Sequence, residues 1–370
     1  MRPRSLRLVH VTRPPARPSL WIEVKDDEGA SGWGEASPLS PFSRDDVPTC
    51  ARALEALFFR LGSVDEALAI GPAIHAAFTP ILADLEAVPS ARFALETALL
   101  DLLARRRGLS VAALLRGEPS SIELPVNALL IADPPDDLAD RAVALAALGY
   151  RAIKIKLRAR DDAGFDREVA ALHAVRTRLP VPFEIRLDPN GAWSIAEARR
   201  RLTALAPIAP RYVEQPVAAV DLVDLGRCAV PWAADESLAN AADHPRLLRD
   251  PGCAALVLKP AILGSLVVAR ELALLAHANG KQAVVTHLFD GPIALAAAAE
   301  LALSLPTPVL AAGLDPHDRL GDWPPIVVPQ LARRGVVIAA KAPGLGLDID
   351  IDIDIDIDLD PGGHAWIPSI

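Results

Sequence analysis

Lys154 and Lys156 stand two residues apart in Arg151-Ala-Ile-Lys-Ile-Lys-Leu157, inside an otherwise apolar, isoleucine-rich run. In an extended strand alternate side chains leave one face, so both amines point the same way. Taken alone, the motif also fits an edge strand with solvated lysines. If the strand is buried, desolvation and like-charge repulsion lower both pKa values, which suits a neutral amine acting as a base. Downstream come three isolated carboxylates, Asp188, Glu214 and Asp235, and a third lysine, Lys259, each closing a short apolar run. Three carboxylates brought to one place form an oxygen-only set suited to magnesium, or manganese, rather than zinc.

The elements that must position these residues begin near Ile122. Short apolar runs at 123–129, 152–156, 183–188, 211–214, 232–235, 255–259, 282–286 and 309–312 alternate with helical stretches, which argues for an α/β chain with a parallel sheet. Eight such runs predict closure into a TIM-like (β/α)7β barrel, whose chemistry is built at the carboxyl ends of the strands. In that ring the second and sixth strands oppose each other, which sets Lys156 across the mouth from Lys259. A small-molecule carboxylate substrate chelated between them has its α-carbon flanked by an amine on each side. That is an arrangement for proton abstraction next to a carboxylate, with a cation to stabilise the charge that forms.

Residues 6–11, 20–24 and 30–35 read as a small strand meander closed by the turn Asp26-Asp-Glu-Gly29. Helical patterns follow at 45–60, 72–85 and 90–107, with Ser90 as a candidate N-cap. Strands first and helices second suggest an N-terminal α+β capping domain over 1–121, a catalytic barrel over 122–320 and a C-terminal segment, 321–370, returning to the cap. That segment holds seven aspartates at alternate positions from 348 to 360. As a strand it has one apolar and one carboxylate face, and its carboxylates lie about 7 Å apart, too far to wrap one calcium ion.

With these residues in place the chain resembles the enolase superfamily, and within it the muconate-lactonizing subgroup that includes o-succinylbenzoate synthases. The likeness runs over nearly the whole chain. It rests on Gly32-Trp-Gly-Glu-Ala-Ser-Pro38, Ala94-Leu-Glu-Thr-Ala-Leu-Leu-Asp-Leu102, Lys154-Ile-Lys156, Asp188-Pro-Asn190, Glu214-Gln-Pro216, Ala234-Asp-Glu-Ser237 and Lys259-Pro260, and on spacings of 26, 21 and 24 residues from Asp188 to Glu214, Asp235 and Lys259 in turn. The resemblance implies Mg2+ on Asp188, Glu214 and Asp235, with Lys156 as the α-proton base, Lys154 tuning it and Lys259 opposing it. It also implies a cap loop at 13–18, and residues 41–44, shaping specificity. The leading expectation is a carbon–oxygen lyase that dehydrates a succinyl-cyclohexadiene carboxylate to o-succinylbenzoate in menaquinone biosynthesis. The alternatives are N-acylamino acid racemase, dipeptide epimerase and muconate-type cycloisomerase. Schiff-base lyase chemistry on one lysine and a barrel that only binds its ligand remain as readings from other classes. Ala261-Ile-Leu-Gly-Ser265 and Thr286-His-Leu-Phe-Asp-Gly-Pro292 depart from the commoner patterns, and with them the identity of the substrate stays open. Asp290 and His287 are candidates for touching it. Asn190 reads equally as a turn former and as support for the site.

The net charge of −9 is mostly the work of the aspartate repeat. This leaves no basic face for nucleic acid or a membrane surface, while a homo-oligomer stays open. Three cysteines, Cys50, Cys228 and Cys253, are odd in number and widely spaced, as in reduced structural thiols. With no continuous apolar leader after Met1-Arg-Pro-Arg-Ser5, the expectation is a soluble, cytoplasmic protein.

Overall fold

The computed structural model describes residues 3–11, 17–58, 70–324, 326–330, 332–349 and 356–359. Three antiparallel strands open the chain: β1 (Pro3–Val11), β2 (Ser19–Asp26) and β3 (Ser31–Ala36). Their turn is pinned by Asp26, whose Oδ1 accepts the N–H groups of Glu28 and Ala30, both at 2.9 Å. The helices α1 (Val47–Phe58), α2 (Ile74–Leu82), α3 (Pro89–Arg107) and α4 (Val111–Arg116) follow. Ser90 is not the N-cap of α3. Pro89 already occupies the first turn after Val88, and both the N–H and the hydroxyl of Ser90 donate to Asp45 at 2.7 Å.

Helix α3 is covered on every face, with Leu95, Leu99 and Leu102 fully buried; each such side chain stabilises the fold by about 2 kcal/mol. The glycines of Gly32-Trp-Gly34 explain how closely β3 lies on it. A Cβ at Gly34 would sit 1.9 Å from the Ala94 carbonyl oxygen, and one at Gly32 would sit 2.2 Å from that of Ala98. The first motif of the chain is therefore shaped to the second, and their carboxylates bridge outward to the barrel.

A short strand β4 (Glu123–Pro125) leads into the barrel strands β5 (Ala128–Ile131), β6 (Ala152–Lys156), β7 (Glu184–Asp188), β8 (Tyr212–Glu214), β9 (Trp232–Ala234), β10 (Cys253–Leu258) and β11 (Gln282–Val285). Helices α5 (Leu138–Ala147), α6 (Asp162–Arg178) and α7 (Ile195–Leu205) return the chain between the first of them. Further helices are α8 (His244–Arg249), α9 (Pro260–Leu263), α10 (Leu266–Ala278) and α11 (Pro292–Leu303). Strands β5 to β11 form one parallel sheet in sequence order. Two expected strands differ. The run 123–129 divides, because β4 pairs antiparallel with β12 (Val336–Ile338) and only β5 joins the barrel. The run 309–312 is no ladder: the ring closes through single bridges, Ala312 to Val126 and Gly313 to Thr286. Pro306 and Pro308, just before it, lack the N–H that a strand needs to pair.

Beyond the barrel, Leu345 donates its N–H to Asp101 of α3, Arg105 donates to the Leu347 carbonyl, and β13 (Asp356–Leu359) pairs antiparallel with β1. Residues 350–355 and 360–370, most of the aspartate repeat, lie outside the described residues.

Candidate active site

Five neighbouring strands bring the candidate residues to one rim. Lys156 ends β6, Asp188 ends β7 directly opposite it in register, and Glu214 ends β8. Asp235 and Lys259 directly follow β9 and β10. In the sheet order β10 lies four positions from β6, so in a ring of eight Lys259 and Lys156 come from opposed strands with the three acids on the strands between. Asp188 and Glu214 are each 1% exposed and Asp235 is 5% exposed.

Lys154 lies between two of the acids, 2.9 Å from Asp188 Oδ2 and 2.5 Å from Glu214 Oε1. Lys259 donates to Asp235 Oδ2 at 2.5 Å. Lys156 is held differently: its short contact, 2.6 Å, is to the neutral amide oxygen of Asn190, and its nearest carboxylate oxygen is Asp188 Oδ2 at 3.6 Å. Asn190 combines both roles open to it, since it sits at φ +52° in a turn and also receives Lys156.

The expected lowering of the lysine pKa fails for Lys154. Burial disfavours the charge on Lys154, but Asp188, Glu214 and Asp235 outweigh it and hold the amine well above its usual value. Lys259 is likewise raised, with Asp235 and Glu236 overcoming burial. Among the acids, burial raises Glu214, with Asp188 and Asp235 adding to it and Lys154 opposing, whereas Lys154 and Lys156 overcome burial and keep Asp188 low.

The donor set suits a hard divalent cation by its chemistry: three buried carboxylates, one of them driven toward protonation partly by its two neighbours. Among the described residues no three His, Cys, Asp or Glu side chains are gathered tightly enough to hold a metal as they stand. Lys154 bridges Asp188 and Glu214 through one oxygen of each.

A cavity of about 260 Å³ opens over these groups, with Lys154, Lys156, Asn190, Asp235, Glu236 and Lys259 on one side. His287, Phe289, Asp315, His317 and Asp318 line the other. A second cavity of about 210 Å³ shares Phe42, Asp235, Glu236 and Lys259 and is otherwise apolar, with Leu238, Ile262 and Leu263 in its wall. Phe42 places its ring centroid 5.8 Å from Lys259 Nζ, so the 41–44 segment does reach the site. Of the 13–18 loop, residues 13–16 lie outside the described residues; Arg17 reaches the loop after β11.

His287 lines the cavity with both ring nitrogens engaged: Nε2 donates to the Asp315 carbonyl at 3.1 Å, and Nδ1 accepts from the Phe289 N–H at 2.9 Å. Burial pushes its pKa down to about 3, so it is a neutral part of the wall. Asp290 is buried and turned away from the cavity, toward Arg17. Sequence reasoning missed Gln215. Its backbone sits at φ +38°, uncommon for a residue with a side chain, and its Oε1 accepts the N–H groups of Asp235 and Ser237 at 3.0 and 3.2 Å. In Glu214-Gln-Pro216 the middle residue thus fixes the start of the next acidic loop.

Comparison with known proteins identifies the family. The family described as Enolase C-terminal domain-like matches residues 137–353. The o-succinylbenzoate synthase of Geobacillus kaustophilus is 33% identical over 68% of this chain and 65% of its own length. That of Desulfotalea psychrophila is 31% identical over 78% of this chain and 84% of its own. The L-amino acid-D/L-Glu epimerase of Francisella philomiragia is 24% identical, over 81% of this chain and 83% of its own length. Among solved structures, a dipeptide epimerase from Methylococcus capsulatus complexed with Mg ion superposes with a TM-score of 0.78 at 25% identity, over 94% of this chain and 99% of that one. A muconate lactonizing enzyme from Klebsiella pneumoniae does so with a TM-score of 0.79 at 24% identity, over 95% and 97%, a likeness of fold. The chain belongs to the enolase superfamily.

Proposed function

We propose that this protein is a magnesium-dependent lyase that removes the proton α to a carboxylate and expels a β-hydroxyl as water, the reaction of an o-succinylbenzoate synthase in menaquinone biosynthesis. The observation that carries the reading is the placement of Lys156 and Lys259 on opposed strands with Asp188, Glu214 and Asp235 between them. Relatives named o-succinylbenzoate synthase, at 31 and 33% identity, support the choice of substrate.

Asp188, Glu214 and Asp235 would hold the cation, which would supply electrostatic stabilisation of negative charge on a substrate carboxylate. Lys156 is the base, being the lysine least tied to carboxylates, and Asn190 orients its amine. It takes the α-proton, the carbon–oxygen bond to the β-hydroxyl breaks, and the same lysine delivers the proton to that oxygen. Carbon–carbon unsaturation and one water result. Lys259, kept cationic by Asp235, stabilises the enolate from the opposite face without transferring a proton.

A second reading, dipeptide epimerase, draws on Asp315 and Asp318 in the far wall of the cavity, which suit the ammonium of a dipeptide, and on the epimerase relatives. The two part cleanly. With Mg2+ the purified protein should convert 2-succinyl-6-hydroxy-2,4-cyclohexadiene-1-carboxylate to o-succinylbenzoate. Deuterium uptake from heavy water into dipeptides or N-acylamino acids, with no turnover of the cyclohexadiene, would overturn the lyase reading.

A further inference from the structure

The wall of the cavity at residues 286–289 contains one strained residue and is held partly from outside the barrel. Phe289, 42% exposed, has φ +54°, a conformation that persists in a bulky residue only where its surroundings impose it. Within the loop, Asp290 Oδ2 accepts the Leu288 N–H at 2.9 Å, and the Asp290 carbonyl accepts from His317 Nε2 at 2.8 Å. Thr286 Oγ1 and His287 Nε2 tie the start of the loop to the Gly313 and Asp315 carbonyls, and further ties come from the cap. Arg17 donates to the Leu288 carbonyl at 3.1 Å, to Asp290 Oδ1 at 3.4 Å and to the Ser37 carbonyl at 2.7 Å. Glu35, fully buried, accepts the N–H of Gly291 at 2.7 Å and those of Ile293 and Ala294 at 3.1 and 3.2 Å, capping α11 from another domain. Ser37 donates its hydroxyl to the same carboxylate. A Cβ at Gly291 would lie 2.5 Å from both Glu35 Oε1 and the Trp323 ring, so the fit admits only glycine.

We propose that Arg17 and Glu35 are positioning residues for the reaction, gripping 288–294 from the cap so that His287 and Phe289 present one fixed wall to the substrate. Neither touches the cavity, and neither contacts the lysines or acids on β6 to β10. Their removal therefore loosens substrate binding and leaves the chemical step in place. The inference rests on this cavity being the substrate site.

The test uses the full-length protein as wild type, Arg17→Met, Glu35→Gln and, as a control, the surface variant Arg178→Ala. Amide hydrogen exchange is followed in peptides covering 286–294, and KM and kcat are measured for the cyclohexadiene carboxylate. Exchange there should quicken at least tenfold in Arg17→Met and Glu35→Gln but not in the control. KM should rise at least fivefold, with kcat within threefold of wild type. Unchanged exchange in folded Arg17→Met overturns the proposal, as does a fall in kcat at constant KM, the mark of a smaller folded fraction. Should Glu35→Gln fail to fold, Arg17→Met decides by the same criteria. The exchange arm needs no substrate, so a protein inactive on the cyclohexadiene refutes the lyase reading while exchange still decides this one.

Discussion

Lys259 donates to Asp235 Oδ2 at 2.5 Å, from the loop after β10 to the loop after β9. A lysine so paired stays charged, which fits stabilising an enolate better than accepting a proton. Lys259→Arg, which keeps the charge but cannot act as a base, should retain measurable dehydration. Lys259→Met should lose about 10²–10³ in kcat. Equal loss in both variants would instead make Lys259 a proton-transfer group, as a racemase needs.

The three acids should bind Mg2+ in a way measurable without turnover. Titration calorimetry should show one Mg2+ per chain, weakened at least tenfold in Asp235→Asn, and chelator should abolish activity that Mg2+ then restores. Full turnover in excess chelator, with no metal found in the protein, would place the chemistry elsewhere.

Much of this was legible in the sequence because it depends on period and order. Lys154 and Lys156 share a face by alternation, and the acids end or directly follow successive strands. What stayed hidden depends on contacts between distant residues. Glu35 lies 256 residues from Gly291 and Glu96 lies 169 from Ser265, so their capping of α11 and α10 leaves no local pattern. Nor does the sequence show that Gln215 adopts a positive φ, or that the carboxylates hold two of the lysines charged. Phe42 was legible only as part of a cap segment near the site.

Glu96 gives the protein a pH-dependent element. It accepts from Ser265 Oγ at 2.7 Å and from the Leu266 and Val267 N–H groups at 2.6 and 3.3 Å, and burial, working against those bonds, pushes it up to about 7. A raised folded-state value means that the native protein binds the proton more tightly than the unfolded chain does. The stability this adds is fully present below the ordinary carboxyl range and is lost as pH rises through about 7. Glu96→Gln cannot titrate. The melting temperature of wild type minus that of this variant should therefore fall between pH 5 and pH 8, and a flat or rising difference would contradict the assignment.

Close approach of β3 to α3 predicts a contrast between two glycines. Gly34→Ala drives a methyl group into the Ala94 carbonyl and should destabilise by about 3 kcal/mol or prevent folding. Gly29→Ala meets nothing within 4 Å and should cost only about 1 kcal/mol, through its φ of +83°. Denaturant midpoints compare them, and equal losses would contradict the packing described.

The central claim, that Lys156 removes a proton next to a carboxylate, is tested most directly by the single-turnover rate of dehydration in Lys156→Ala with saturating Mg2+. The account predicts a loss of at least about 10³ in rate, within the range set by losing a general base, with Mg2+ affinity unchanged. A variant that binds Mg2+ normally and still dehydrates within tenfold of the wild-type rate would contradict it.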